Sequence, residues 1–158
     1  MNAFEQLEDI ACNDGIDVTD RKFDSERIKG LYCDGNIVLN TNALKTTTEK
    51  TCVLAEELGH HYTTIGNILD QQKVVNAKQE LHARTWAYNA CVGIIGIIKA
   101  FEAGCKSLYE MADYLEVTED FLKDALESYR RKYGVCTEVD NYIVFFEPQI
   151  SVMRKLPE

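Results

Sequence analysis

Apolar and polar residues alternate and cluster in a way that divides the chain into recognisable elements. Spacing of three and four apolar positions predicts a short helix over about residues 2–12, which should stop at the turn signal Asn13-Asp14-Gly15. Ile16-Asp17-Val18 reads as a short strand. Two β-prone runs, Gly30-Leu31-Tyr32-Cys33 and Asn36-Ile37-Val38-Leu39, flank Asp34-Gly35. That dipeptide is a strong hairpin signal, because the turn needs positive φ. Thr46 and Glu49 have the spacing of a capping box and open a helix that should end before Gly66. After the polar stretch Asp70-Gln71-Gln72-Lys73, a second long helix is expected over about residues 76–91. A third, over about residues 92–103, is apolar nearly all round and should be buried. Ser107 and Glu110 form another capping box, and Thr118 caps a helix closed by Gly134. The tail carries two further β-prone runs on either side of Asp140-Asn141, a second hairpin.

This pattern predicts an α+β fold in which a small hairpin-bearing sheet packs on a mainly helical body. Residues 1–104 should form the core and residues 105–158 a helix-turn-helix-like segment with a terminal hairpin, packed on it as one unit. The 158 residues suit one domain of ordinary size.

Charge narrows the partners. The net charge is −9, so the surface repels phosphate backbones and anionic lipid; direct nucleic-acid and membrane binding are not expected. The rhythm of residues 107–119 resembles a DNA-reading helix-turn-helix, but its second helix opens on Thr118-Glu119-Asp120, whose acids would face phosphate. The longest apolar run, Val92 to Ile98, has seven residues, and a bilayer needs roughly 20. The acidic N-terminus lacks the positive segment of a secretory signal. Six scattered cysteines with no Cys-x-x-Cys pair read as reduced, mostly buried residues of a cytoplasmic protein.

All three histidines lie between positions 60 and 82, two of them in Glu56-Glu57-Leu58-Gly59-His60-His61. On a helix, with Glu56 at the origin, His60 falls at about 40°, Val53 at about 60° and Glu57 at about 100°. Leu54, Leu58, Thr51, Tyr62 and Ile65 gather on the opposite side. One face is therefore apolar, and the other offers two carboxylates and an imidazole within one turn. The arrangement is close to H-E-x-x-H, in which residues i and i+4 hold zinc and the intervening Glu is the general base. Here Glu56 and His60 would be the metal ligands and Glu57 the catalytic base. His61 falls at the edge of the apolar face, as a structural residue does. A register pairing Glu57 with His61 leaves no obvious base. An amphipathic helix with a merely solvated acidic face is the alternative.

Residues 30–87 resemble the ImmA/IrrE family of metallo-endopeptidases. The likeness rests on Leu54-Ala55-Glu56-Glu57-Leu58-Gly59-His60, on His82-Ala83-Arg84-Thr85-Trp86-Ala87 and on the upstream hairpin. Glu56-Glu57-Leu58-Gly59-His60-His61-Tyr62-Thr63-Thr64, with Lys78-Gln79-Glu80 and Trp86-Ala87-Tyr88, is similar to a branch found on phages and integrative elements of Gram-positive bacteria. The resemblance implies a zincin-like body and a cytoplasmic, zinc-dependent endopeptidase that cleaves the cognate repressor of a mobile element. It implies a third metal ligand on the second helix. His82 aligns with that position, and Glu80, two residues away, competes for it. Glu80 also has an i, i+4 partner in Arg84, as in an ordinary helix-surface ion pair. The family's first ligand is His and its third Glu, so Glu56 and His82 exchange the two residue types. The same departures admit a catalytically inactive antirepressor that binds the repressor without cleaving it. Tyr62, Tyr88 and His61 are available as oxyanion donors, and the edge of the hairpin at 31–39 can hold an extended substrate by strand addition.

Overall fold

The computed structural model describes residues 1–63 and 73–157, the side chains of 73–76 excepted. The expected helix end before Gly66, the place of Ile65 and the polar stretch from Asp70 lie outside the described residues. Two compact units make up the chain, Met1–Ala90 and Cys91–Glu158.

The first unit opens with α1 (Ala3–Asn13). Asn2 caps it by accepting from the Glu5 amide at 2.8 Å, and the Glu5 carboxylate accepts from the Asn2 amide at 2.9 Å. Strands β1 (Asp17–Arg21), β2 (Gly30–Cys33) and β3 (Asn36–Asn40) form a sheet in the order β1-β3-β2. The hairpin turns where expected: Asp34 and Gly35 both have positive φ, 46° and 76°. Strand β1 pairs in parallel with β3 and runs three residues beyond the predicted Val18. Thr19, Asp20 and Arg21 carry no apolar signal, and their pairing with β3 holds them extended. Asn40, at the end of β3, is fully buried. Its side chain donates to the Ser25 and Ile28 carbonyls at 2.8 and 2.7 Å and accepts from the Phe23 amide at 3.1 Å. This one amide group organises the loop that delivers the chain to β2.

Helix α2 (Thr47–Thr63) packs on β2, β3 and α1. Thr46 caps it, accepting from the Glu49 amide at 3.1 Å while its hydroxyl donates to the Glu49 carboxylate at 3.2 Å. Leu54 and Leu58 of α2 and Ile37 and Leu39 of β3 are fully buried and centre the core. Burial of such a side chain is worth about 1.5–3 kcal/mol. The buried arc is wider than the wheel suggested, since Val53 is only 9% exposed. Gly30 explains this: a Cβ there would lie 2.7 Å from Val53 Cγ1 and 3.2 Å from Glu57 Cγ. Without one, β2 lies down over the face that the wheel left open. Helix α3 (Lys73–Cys91) begins three residues before the expected start and meets α2 at Gly59, where a Cβ would lie 2.2 Å from the Ala83 carbonyl oxygen.

The second unit contains α4 (Gly93–Glu102), α5 (Leu108–Leu115), α6 (Glu119–Tyr133) and the antiparallel sheet β4-β5-β6 (Cys136–Val139, Tyr142–Phe145, Ser151–Arg154). Ile97, Leu122 and Val144 are fully buried in its core. Helix α4 packs on α5, β5 and β6. Helix α4 is not buried all round: Ile95 is 49% and Phe101 43% exposed, because α5 and the sheet cover only one side. Strand β6 is absent from the sequence reading, since only Val152 of its four residues is buried and no alternation marks it. Of the six cysteines only Cys52 is buried, and Cys12, Cys33 and Cys136 are exposed. None of the described helices is long and apolar enough to cross a membrane.

The contact at Gly59 makes a sharp test. Gly59→Ala forces backbone against backbone and should destabilise the chain by about 2 kcal/mol in urea titration. At Gly96 the nearest atom to an added Cβ is the end of the flexible Leu115 side chain, at 3.3 Å. Gly96→Ala should therefore stay within about half a kcal/mol of wild type or gain stability from helix propensity. Equal effects would show that the α2–α3 approach is looser than described.

Candidate active site

The site begins with one turn of α2. Glu56 and His60, four residues apart, share a face, and Glu57 lies beside them, toward β2. All three are half-buried. Because Gly59 admits the Ala83 carbonyl, α3 comes close enough for side chains one turn away to meet. His60 Nε2 lies 3.2 Å from Glu80 Oε2, and Glu80 Oε1 lies 3.3 Å from Arg84 Nε. The two readings of Glu80 are thus both visible, a surface ion pair along α3 and a partner for His60 across the helices.

His82 is exposed. Residues two apart on a helix differ by about 200°, so Glu80 and His82 cannot share a face. Ala83 and Ala87, both fully buried, mark the covered side of α3, and Glu80 stands three residues before Ala83 on that side. The structure therefore brings Glu57, His60 and Glu80 together and leaves His82 apart from them.

Glu57 has the most perturbed carboxyl group here. Its pKa is pushed up to about 7, first by burial and then by the negative charges of Glu56 and Glu80. The backbone N–H of Tyr32, on β2, donates to it and opposes the rise. A carboxyl group poised near neutrality can take up and release protons under ordinary conditions, as a general base must.

Aromatic residues buttress this arrangement. His61 Nδ1 lies 2.7 Å from the Tyr32 hydroxyl, and its ring meets Tyr32 and Tyr62 edge-on, with centroids 5.3 and 5.0 Å apart. Tyr62 stacks on Trp86 of α3 at 4.9 Å and donates its hydroxyl to the Asp14 carboxylate. Of the three oxyanion-donor candidates, Tyr62 is therefore committed to Asp14, His61 to Tyr32, and Tyr88 is only 6% exposed. Sequence reasoning missed Tyr32, which touches both Glu57 and His61. It sits in the hairpin, and nothing in its neighbours points toward a helix about 25 residues later; only the strand-on-helix packing does.

The donor types suit a divalent cation. His60 and the nearby carboxylates are one nitrogen and several oxygens, a set zinc accepts. The charges of Glu56 and Glu80 both act on Glu57, and such an excess of negative charge is what a bound cation neutralises. As the side chains stand, Glu80 is turned to His60 and Arg84. Among the described residues no three His, Cys, Asp or Glu side chains converge into a metal-holding group.

Residues 13–127, well over half of the chain, match the family described as Peptidase_M78, IrrE N-terminal-like domain. Comparison with curated proteins finds no match.

Glu57 makes metal-free stability depend on pH with a definite sign. Its folded pKa of about 7 lies above the ordinary 4.5, so the folded chain holds this proton more tightly than the unfolded chain. Its contribution is fully present below pH 4.5 and is lost as pH rises through 7. The change is on the order of 3 kcal/mol at most. In chelator, Glu57→Gln should flatten this slope and raise the melting temperature above pH 7. An unchanged slope in the variant would assign the pH dependence to other groups.

Proposed function

The chain belongs to the IrrE N-terminal-like domain family, Peptidase_M78, and on that premise we propose that it is a metal-dependent endopeptidase. The observation that carries this reading is the meeting of His60 and Glu80 across α2 and α3 beside the half-buried Glu57. Glu56, His60 and Glu80 are the residues that would hold the metal. Glu80 takes the place that the sequence alignment assigned to His82, since it faces His60 and His82 does not. Zinc fits the nitrogen and oxygen donors, and when bound it would polarise a scissile carbonyl.

Glu57 serves as the base. The same burial that raises its pKa keeps water from screening it, and the Tyr32 amide holds its carboxylate in place. At neutral pH a substantial share is ionised and able to take a proton from an attacking water. The substrate enters extended. Strand β2 has β3 on one side only, and its other edge runs beside Glu57, so a peptide aligned with that edge passes the base. The resemblance of the Glu56–Thr64 and Lys78–Tyr88 segments to the mobile-element branch makes a repressor protein of such an element the substrate, met in the cytoplasm.

One observation favours a second reading. His60 and Glu80 pair with each other, and no three donors converge among the described residues. A chain fixed in that pairing would bind the repressor without cutting it and act as an antirepressor.

Metal analysis and a base-deletion variant separate the two. Chain purified without chelator should carry about one zinc, and His60→Ala and Glu80→Ala should lose most of it while His82→Ala keeps it. Loss in His82→Ala with retention in Glu80→Ala would reverse the ligand assignment. Glu57→Gln should keep the metal and lower repressor cleavage by about 10²–10⁴-fold. If Glu57→Gln relieves repression as fully as wild type, with the repressor at full length in both, the antirepressor reading is correct.

A further inference from the structure

The second unit holds a feature that the peptidase reading does not use. A half-open groove of about 500 Å³ runs between the end of α4, the start of α5, α6 and the segment leading into β6. Its apolar lining includes Phe101, Met111, Leu126 and Phe146. Met111 and Phe146 are buried at its base, and Phe101, 43% exposed, stands at its margin. Two lysines, Lys106 and Lys123, also line it and are exposed. Among the described residues neither ammonium is ion-paired. Glu127 lines the groove as well, but its carboxylate is held by Arg130 at 2.6 and 2.9 Å. In a protein of net charge −9, the groove is thus an apolar trough with unneutralised positive charge.

Its fourth wall is one continuous run of chain. Gln149, Ile150, Ser151 and Val152 line the groove consecutively, and the last two begin β6. Strand β6 pairs with β5 on one side only and ends the sheet β4-β5-β6. An edge strand offers unpaired N–H and C=O groups that an extended chain can match, whereas a lipid tail or a compact metabolite cannot.

We propose that this groove is a docking site for an extended segment of a partner polypeptide, one that alternates apolar side chains with Asp or Glu. The apolar side chains occupy the trough over Met111 and Phe146. The carboxylates meet Lys106 and Lys123, and the backbone pairs with β6. None of the residues assigned to the peptidase site lines the groove, so its occupancy does not depend on catalysis.

The test uses the full chain and an array of short synthetic peptides in which apolar residues alternate with Asp or Glu, with a matched array carrying Lys instead. The acidic peptides should bind, measured by fluorescence anisotropy, and the Lys-bearing peptides should not. Lys106→Glu with Lys123→Glu should weaken binding by about tenfold or more, as removal of paired interface charges does. Both lysines are exposed, so the fold should tolerate the change. Should the double reversal lower the melting temperature, Lys106→Gln with Lys123→Gln and a salt titration read the same charge dependence. Amide exchange should slow in β6 when peptide binds. Equal binding of both arrays, no peptide binding, or indifference to the lysines would overturn the proposal. So would binding of decanoate with no peptide bound, which would make the groove a site for small amphiphilic carboxylates. Glu57→Gln chain should bind the acidic peptides as well as wild type, whatever becomes of the peptidase reading.

Discussion

The site depends on one close approach of two helices. Gly59 has no side chain, and the Ala83 carbonyl occupies the space where a Cβ would be. Protein interiors are packed densely enough that a clash of this kind moves a whole element. At this separation His60 reaches Glu80 and Tyr62 stacks on Trp86. With the helices further apart, the imidazole and the second-helix carboxylate would each face water, and the catalytic reading would lose its basis. The glycine in the middle of Glu56-Glu57-Leu58-Gly59-His60 is therefore as much part of the site as the residues around it.

A second missing side chain works in the same way on the other flank. Gly30 lets β2 settle over Val53 and Glu57, which buries the carboxyl group and supplies the Tyr32 amide. Burial disfavours the charged form, and so do the negative charges of Glu56 and Glu80; one backbone N–H offsets them only in part. The balance leaves Glu57 titrating near neutrality. Tyr32 joins this flank to the aromatic cluster through His61, so the edge strand, Glu57 and α3 are held by a chain of contacts from Tyr32 through His61 and Tyr62 to Trp86.

The two units differ in electrostatic character. In the first, Glu56 and Glu80 place negative charge around Glu57, which attracts cations or protons. In the second, unpaired lysines flank an apolar groove and attract carboxylates. A chain with a strong net negative charge can hold a locally positive trough because the Glu127 carboxylate that lines it is held by Arg130, while Lys106 and Lys123 have no carboxylate partner among the described residues.

Local chemistry was legible in the sequence wherever it acts over a few residues. The caps at Thr46, Ser107 and Thr118 and the Asp34-Gly35 turn each depend on neighbours along the chain, and the starts of α2, α5 and α6 and the first hairpin follow from them. The helical spacing of Glu56, Glu57 and His60 is likewise a property of one segment. What the sequence could not show was which segment covers which. Val53 reads as exposed until β2 lies over it, and β6 carries no alternation until the sheet recruits it. The choice between Glu80 and His82 turns on the rotation of α3, which the buried Ala83 and Ala87 set against neighbours distant in the chain. Tertiary packing decided these because burial and charge coupling depend on distance in space, which spacing along one helix does not encode.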